Sequence, residues 1–316
     1  MSASRPTPTL AVIGCVQADV VLSPVTDLPP PGGALLTERA AVRVGGAGAN
    51  AALAAAEAGL DVRLCGAIGD DHLGALMREE LAPAGLADEL AVTAGEQTGL
   101  TVVLESAARD RTFLTHLGVN ERWEAAMIPD DVLSCGHLLL CDYFVAPRLR
   151  GAASRTLLET ARARGARTFF DTSWDPEGFA APTRDEVREL LTSVDVFLPN
   201  EGEACALADR PGDPAGAARA LQAASGGWVV VKLGASGCLA VGPGGQELAA
   251  AAPALRVTDT TGAGDAFNAG IIAALAGGAD WAQALAQAAR FASEIVARPS
   301  DERYRRALGA LPGAGR

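Results

Sequence analysis

Residues 259–270 read Asp-Thr-Thr-Gly-Ala-Gly-Asp-Ala-Phe-Asn-Ala-Gly and gather residue types that can handle an anion and a proton. A short apolar segment, ALRVT (254–258), leads in, and an apolar helix-like run, AFNAGIIAALAG, leads out. Glycine costs about 1 kcal/mol relative to alanine inside a helix, so Gly262 and Gly264 at a helix start need a reason. One reason is to bare backbone N–H groups, because a helix N-terminus is a ready anion site. Asp265, in the same turn, allows two readings. It is an electrostatically placed cap, or it faces a bound phosphate and takes a proton beside it.

The chain around this turn has 316 residues, 49% of them hydrophobic, enough for one large core or two modest ones. A net charge of −12 argues against nucleic acid or an anionic membrane as partner. No apolar run approaches the ~20 residues of a membrane span, and the start, MSASRPTPTLAVIG, carries no export pattern, so a cytoplasmic protein is expected. Cys15, Cys65, Cys135, Cys141, Cys205 and Cys238 are scattered without metal or disulfide spacing, and read as small buried hydrophobes in a reducing compartment. His72, His116 and His137 share no metal spacing either. The single lysine, Lys232, stands in VVVKLGASG.

Short apolar runs alternate with helical patterns for most of the length. LAVIG, VRLCG, HLLLC, RTFFD, VFLP and WVVVKLG read as buried strands. Helix candidates between them are ANAALAAAEAG, HLGALMREELAPAG, ASRTLLETARARG, TRDEVRELLTS and PAGAARALQAAS. This rhythm predicts an α/β fold with a mostly parallel sheet and helices on both faces. Ligands of such sheets lie beyond the strand C-termini, and DTTGAGD is expected at such a strand-to-helix junction. Residues 16–44 and 97–117 break the rhythm. They read as four strands of a small second sheet, whose apolar face should cover the active site, a partner subunit, or both.

The phosphate loop GxxxxGK[ST] is absent. Gly46-Ala47-Gly48-Ala49-Asn50-Ala51 fits GxGxxA, which keeps a nicotinamide oxidoreductase as an alternative, although no acid ends the next strand at Cys65-Gly66. GGAGANAALAAAEAG (45–59), PNEGEA (199–204), KLGASG (232–237) and DTTGAGDAFNAG (259–270) together resemble the ribokinase-like, or PfkB, carbohydrate kinases in order and rough spacing. The resemblance covers nearly the whole chain and implies a single domain, 1–316, with a three-layer α/β/α core. The two insertions, near 16–44 and 97–117, match that family's discontinuous β-sheet lid. The implied activity is ATP-dependent phosphorylation of a sugar hydroxyl, with nucleoside phosphorylation as the runner-up and a catalytically silent binding relative as a further alternative.

The resemblance assigns roles residue by residue. Backbone N–H groups of Gly262, Ala263 and Gly264 would neutralise the transferring phosphoryl group, and Asp265 would be the general base. Asn200 and Glu203 match an NxxE pattern near the nucleotide that holds a hydrated Mg²⁺, with Glu203 as a first-turn helix acid in the plainer reading. Lys232, Gly234 and Gly237 resemble the loop under ATP, though Lys232 could instead end a strand. Asp19, Gly45, Gly46 and Asn50 match the sugar-binding residues. Gln17 and Ala47 depart from ribokinase itself, which argues against ribose as the specific acceptor. Asp142 and Asp171, ending buried strands, are candidates to line the substrate site. The matched substrate motifs carry no Arg or Lys to grip a second phosphate, which predicts an unphosphorylated acceptor; Arg43 and Arg111 are the residues that would reverse this. Asp259 and Thr261 match a monovalent-cation (K⁺) site, but EIVARPSDERY (294–304) departs from the rest of that site. A homodimer formed through the lid is expected from its apolar strands.

Overall fold

A computed structural model describes residues 9–106, 111–257, 259–299 and 302–308. The chain begins with β1 (Leu10–Ile13), β2 (Gln17–Ser23), β3 (Arg39–Gly45) and α1 (Ala47–Glu57). β4 (Val62–Gly69), α2 (His72–Leu81), β5 (Leu90–Thr93), β6 (Gly99–Leu104) and β7 (Thr112–His116) follow. Then come β8 (His137–Leu140), α3 (Ala152–Ala163), β9 (Arg167–Phe170), α4 (Ala181–Leu191), β10 (Val196–Phe197), α5 (Glu201–Ala208) and α6 (Pro214–Ser225). β11 (Trp228–Lys232), β12 (Cys238–Val241), β13 (Glu247–Ala250), α7 (Ala263–Ala276) and α8 (Trp281–Ala297) complete the order.

Nine strands form one sheet in the order β13-β12-β11-β10-β9-β8-β1-β4-β5. The six runs read as strands in the sequence are its centre, in the order β11-β10-β9-β8-β1-β4, and all pair in parallel. Their apolar residues are near-continuous because both faces are covered. Along β1, Leu10 and Val12 enter a core shared with α1, α2, α7 and α8. Ala11 and Ile13 enter a second core with α3, α4, α5 and α6. The two-residue period of a strand thus divides one segment between two helical layers. β12 and β13 add antiparallel strands at one edge.

The strand order reverses at β1, which has β4 on one side and β8 on the other. Crevices beyond the strand C-termini at such a reversal are where open α/β sheets bind ligands.

The two interruptions contribute β2, β3, β6 and β7, a separate sheet in the order β3-β2-β6-β7. β2 pairs antiparallel with β3 and parallel with β6, and β6 pairs antiparallel with β7. In register, Arg43, Asp19, Thr101 and Thr115 cross one face. Val42, Val20, Val102 and Leu114 cross the other. The segment before α7 differs from its expected form. Residues 254–257 form no strand and leave Leu255 and Val257 exposed, so α7 follows an irregular crossover from β13 rather than a strand end. Thr258 lies outside the described residues.

Candidate active site

The first turn of α7 is set by Gly262, which caps the helix at φ 74°, a left-handed conformation that glycine adopts without steric cost. The amide of Ala263 turns inward and donates to the carbonyl of Thr260 at 3.2 Å, so it is already spent, contrary to its expected part in anion binding. The amides of Gly262, Gly264 and Asp265 meet no acceptor among the described residues and form the positive end of α7. No side chain caps α7. Asp265 instead accepts a hydrogen bond from Asn50 of α1. Its carboxyl is held well above the ordinary range by burial, then by the charges of Asp171 and Asp142, with Lys232 and Asn50 opposing.

Beneath this turn lies a buried ion pair. Lys232 Nζ donates to Asp171 Oδ2 at 2.6 Å and to Asn268 Oδ1 at 3.3 Å. Asn268 Nδ2 donates to the same Asp171 oxygen at 2.6 Å. A Cβ on Gly264 would stand 3.4 Å from Nζ, an ordinary contact distance, so the ammonium lies directly under the helix start. Lys232, expected either in the nucleotide loop or at a solvated strand end, closes β11 but is largely buried, and Asp171, expected to line the substrate site, is its partner. The structure binds them to each other, and the ammonium acts on Asp265 from below. Asn268, three residues after Asp265 on the same helix face, went unread; its signal was an amide inside an apolar helical run, where a polar group needs partners.

Asp142 is likewise a brace rather than a free substrate group. Its Oδ2 accepts from the amides of Cys15 at 2.8 Å and Gly48 at 2.9 Å, tying the end of β1 to the start of α1. Burial, with Asp171 adding, pushes its carboxyl to about 6 against those two bonds.

The predicted substrate residues converge from β2, β3 and α1. A Cβ on Gly45 would fall 2.1 Å from Asp19 Oδ1, so only glycine lets β3 pass that carboxylate. Gly46, at φ 88°, turns the chain into α1 and brings Asn50 against the α7 turn, its Cγ 3.7 Å from a Cβ placed on Gly262. Gln17 Nε2 donates to Thr101 Oγ1 at 2.7 Å and to Asp19 Oδ1 at 3.4 Å. Burial raises Asp19 to about 6, with Arg43 and Gln17 opposing. Asp19, Gly45, Gly46, Asn50 and Asp265 are thus brought together.

Asn200 and Glu203 form a complete capping box at α5. Glu203 accepts from the Asn200 amide at 2.8 Å and from Asn200 Nδ2 at 2.6 Å, and its own amide donates to Asn200 Oδ1 at 2.9 Å. Burial, then Asp171, pushes the Glu203 carboxyl to about 7, with Lys232 opposing. Both oxygens are engaged, so Glu203 holds the helix start and would reach a metal only through water. Lys232 donates its amide to Pro199 O at 2.9 Å, which sets β11 beside this box. Gly234 and Gly237, at φ 56° and 93°, shape the tight turn between β11 and β12, and a Cβ on Gly237 would overlap Ala250 O.

Asp259 gathers three guanidinium groups. Arg43 Nη1 lies 2.9 Å from Oδ2, Arg111 Nη2 3.1 Å from Oδ1 and Arg303 Nη2 3.2 Å from Oδ2. Arg111 also bonds the hydroxyls of Thr260 and Thr261. The Thr261 amide and hydroxyl both donate to Asp259 Oδ1, at 2.8 and 2.7 Å. The Asp259 carboxyl is held well below its ordinary range, because these bonds and charges outweigh its burial. Arg303 Nη1 donates to Thr261 O at 2.8 Å and Nη2 to Asp259 O. The oxygens of Asp259 and Thr261 that the K⁺ expectation rested on are taken by arginine, so this donor set does not fit a metal ion. Among the described residues no group of three His, Cys, Asp or Glu side chains could hold a metal directly. Both arginines flagged in the insertions, Arg43 and Arg111, reach the site.

Comparison with known proteins identifies the family. The family model for pfkB family carbohydrate kinases matches residues 8–303. A ribokinase of Haemophilus influenzae is 27% identical over 274 residues, covering 84% of this chain and 85% of its own. An ATP-dependent ribose-1-phosphate kinase of Halopiger xanaduensis is 30% identical over 263 residues, covering 82% of each. The structure of Arabidopsis thaliana ribokinase complexed with ribose and ATP aligns at a TM-score of 0.77 and 26% identity, over 96% of this chain and 99% of that one. With the family model spanning nearly every residue, this chain belongs to the pfkB family of carbohydrate kinases.

Proposed function

We propose that the protein transfers the γ-phosphoryl group of Mg·ATP to a hydroxyl of a sugar, as one kinase domain whose small sheet serves as a lid. The observation that carries this reading is the α7 turn, where the unpaired amides of Gly262, Gly264 and Asp265 and the buried Asp265 carboxyl lie beside Asn50 of α1. Asp265 takes the proton of the attacking hydroxyl as it reaches phosphorus. The amides of Gly262, Gly264 and Asp265 receive the charge of the transferring group. Asp19, with Gln17 beside it, accepts sugar hydroxyls, whose desolvation is tolerable only when each oxygen finds a partner. Magnesium arrives with the nucleotide, as part of the substrate.

A sugar bearing a phosphate or carboxylate is a second reading, favoured by Arg43. This arginine stands opposite Asp19 in the β2–β3 register, and its Nη2 is buried without a hydrogen-bond partner. A coupled ADP-release screen over pentoses, hexoses, deoxy-keto acids, phosphosugars and nucleosides tests both. No ADP release with any of them defeats the kinase reading. A tenfold advantage in kcat/KM for a phosphosugar selects the second.

The homodimer expectation rests on the row Val42, Val20, Val102 and Leu114, in which Val42 and Leu114 are 49% and 52% exposed. We place the dimer interface on this face. No helix among the described residues is long and apolar enough to cross a membrane.

A further inference from the structure

Arg303 lies 42 residues beyond Thr261, past the end of α8, yet its side chain is 5% exposed. Burying a guanidinium is costly unless its donors are satisfied by well-placed acceptors. Here two of its nitrogens reach two peptide carbonyls and one carboxylate of a single loop: Thr261 O, Asp259 O and Asp259 Oδ2. That loop leads directly into Gly262 and the open amides of α7. Peptide carbonyls converging with a carboxylate are the ligand chemistry of a hard monovalent cation. In this chain the cation is covalently attached.

We infer that Arg303 is a built-in cation, a positioning residue that fixes the 259–262 loop and with it the α7 amides, so that the protein works without a monovalent metal ion at this loop. The inference rests on reading the α7 turn as the phosphoryl site, but its physical core, arginine in place of a metal ion, can be tested apart from catalysis. Arg303 differs in task from Arg43 and Arg111. Those two belong to the small sheet and its connection and contact side chains of the loop, whereas Arg303 holds the loop's backbone. Fixing a backbone carbonyl on each side of Thr260 limits how far the turn can swing. A misplacement of about 1 Å at a reacting centre can cost ~10²-fold in rate.

The test exchanges KCl for choline chloride at constant ionic strength and follows two readouts, melting temperature and kcat. The wild-type protein should show the same melting temperature and the same kcat in both salts. Arg303→Ala should lose roughly 10²-fold in kcat, and millimolar guanidinium or K⁺ should restore at least tenfold of it and raise the variant's melting temperature. Arg303→Lys should retain more activity than Arg303→Ala, since one ammonium can still reach a carbonyl. Wild-type protein that is stabilised or activated by K⁺ over choline would overturn the inference, whatever the variants do. So would an Arg303→Ala protein that is folded, impaired and indifferent to both ions. If Arg303→Ala does not fold, the wild-type salt exchange and Arg303→Lys still decide. If the substrate screen finds no kinase activity, the melting-temperature arm tests the built-in cation alone.

Discussion

Asp265→Asn separates a cap from a base more sharply than any other substitution in this chain. Asparagine caps helices about as well as aspartate, so a capping Asp265 would leave stability and activity nearly unchanged. The structure already weakens that alternative, because no side chain caps α7 and Asp265 bonds Asn50 instead. As a base, Asp265 must accept a proton that asparagine cannot take, and removing a general base costs about 10²- to 10⁴-fold in rate. That is about 3 to 5.5 kcal/mol of transition-state stabilisation. ATP affinity should barely move, because the amides that face the phosphoryl group belong to the backbone. Stability should respond in the opposite sense to activity. The folded Asp265 carboxyl lies well above its ordinary value, so between the two the native state holds the proton more tightly than the unfolded chain. Its contribution therefore worsens as pH rises through that window, and asparagine removes this cost. At pH 8 the variant should melt at or above the wild-type temperature while kcat collapses. The assay is steady-state kinetics with the best acceptor from the screen, ATP titration, and thermal melts at pH 6 and 8. A variant that keeps more than a tenth of wild-type kcat refutes the base. A loss of activity accompanied by a fall in melting temperature refutes the reasoning about the site.

Three further outcomes follow from the same geometry. Lys232→Met leaves the buried Asp171 carboxylate without its counter-charge, with only the neutral donors of Asn268 and the Ser173 amide, and should cost about 3–5 kcal/mol in urea unfolding, while Lys232→Met with Asp171→Asn should recover much of it; equal losses in single and double variants would deny the pair. Glu203, raised from 4.5 to about 7, makes the wild type lose roughly 3 kcal/mol relative to Glu203→Gln as pH climbs across that window, because the native state holds the proton through it; parallel stability curves for the two proteins would deny the shift. Leu114→Glu puts a charge in the outer apolar row of the small sheet and should convert a sedimenting dimer to monomer with the melting temperature little changed; a wild-type protein that already sediments as a monomer at micromolar concentration removes the proposed interface.

The architecture was legible where physics acts locally. The central strands had to be apolar throughout because helices cover both faces, and those runs stood out between glycines, prolines and acids. The edges were less legible. β5 and β13 are short and only partly buried, and β12 is only four residues long, so their patterns are weak. ALRVT resembled a strand by composition alone, and nothing in four or five residues reports that no neighbour will pair with them. Gly45, Gly46 and Gly262 could be read because each answers a backbone demand, a close approach or a positive φ, that no other residue meets without strain.

The site's charges were not legible, and the reason is distance along the chain. Asp142 looked free to meet a substrate until Cys15 and Gly48, more than ninety residues away, supplied its donors. Lys232 looked like a nucleotide residue until Asp171 and Asn268 closed on it. Asp171, Glu203 and Asp265 surround that one ammonium, with Asp142 close to Asp171; burial, with repulsion from Asp171 adding, pushes Asp142, Glu203 and Asp265 toward the protonated form. Asp259, pushed the other way, meets three arginines. The two settings lie on either side of Gly262. On the Asp259 side, negative charge is neutralised permanently and the loop is locked. On the Asp265 side it is left undercompensated, which keeps the carboxylate eager for a proton. The proposed reaction, in which this turn holds an anion still and accepts a proton from its neighbour, uses that division.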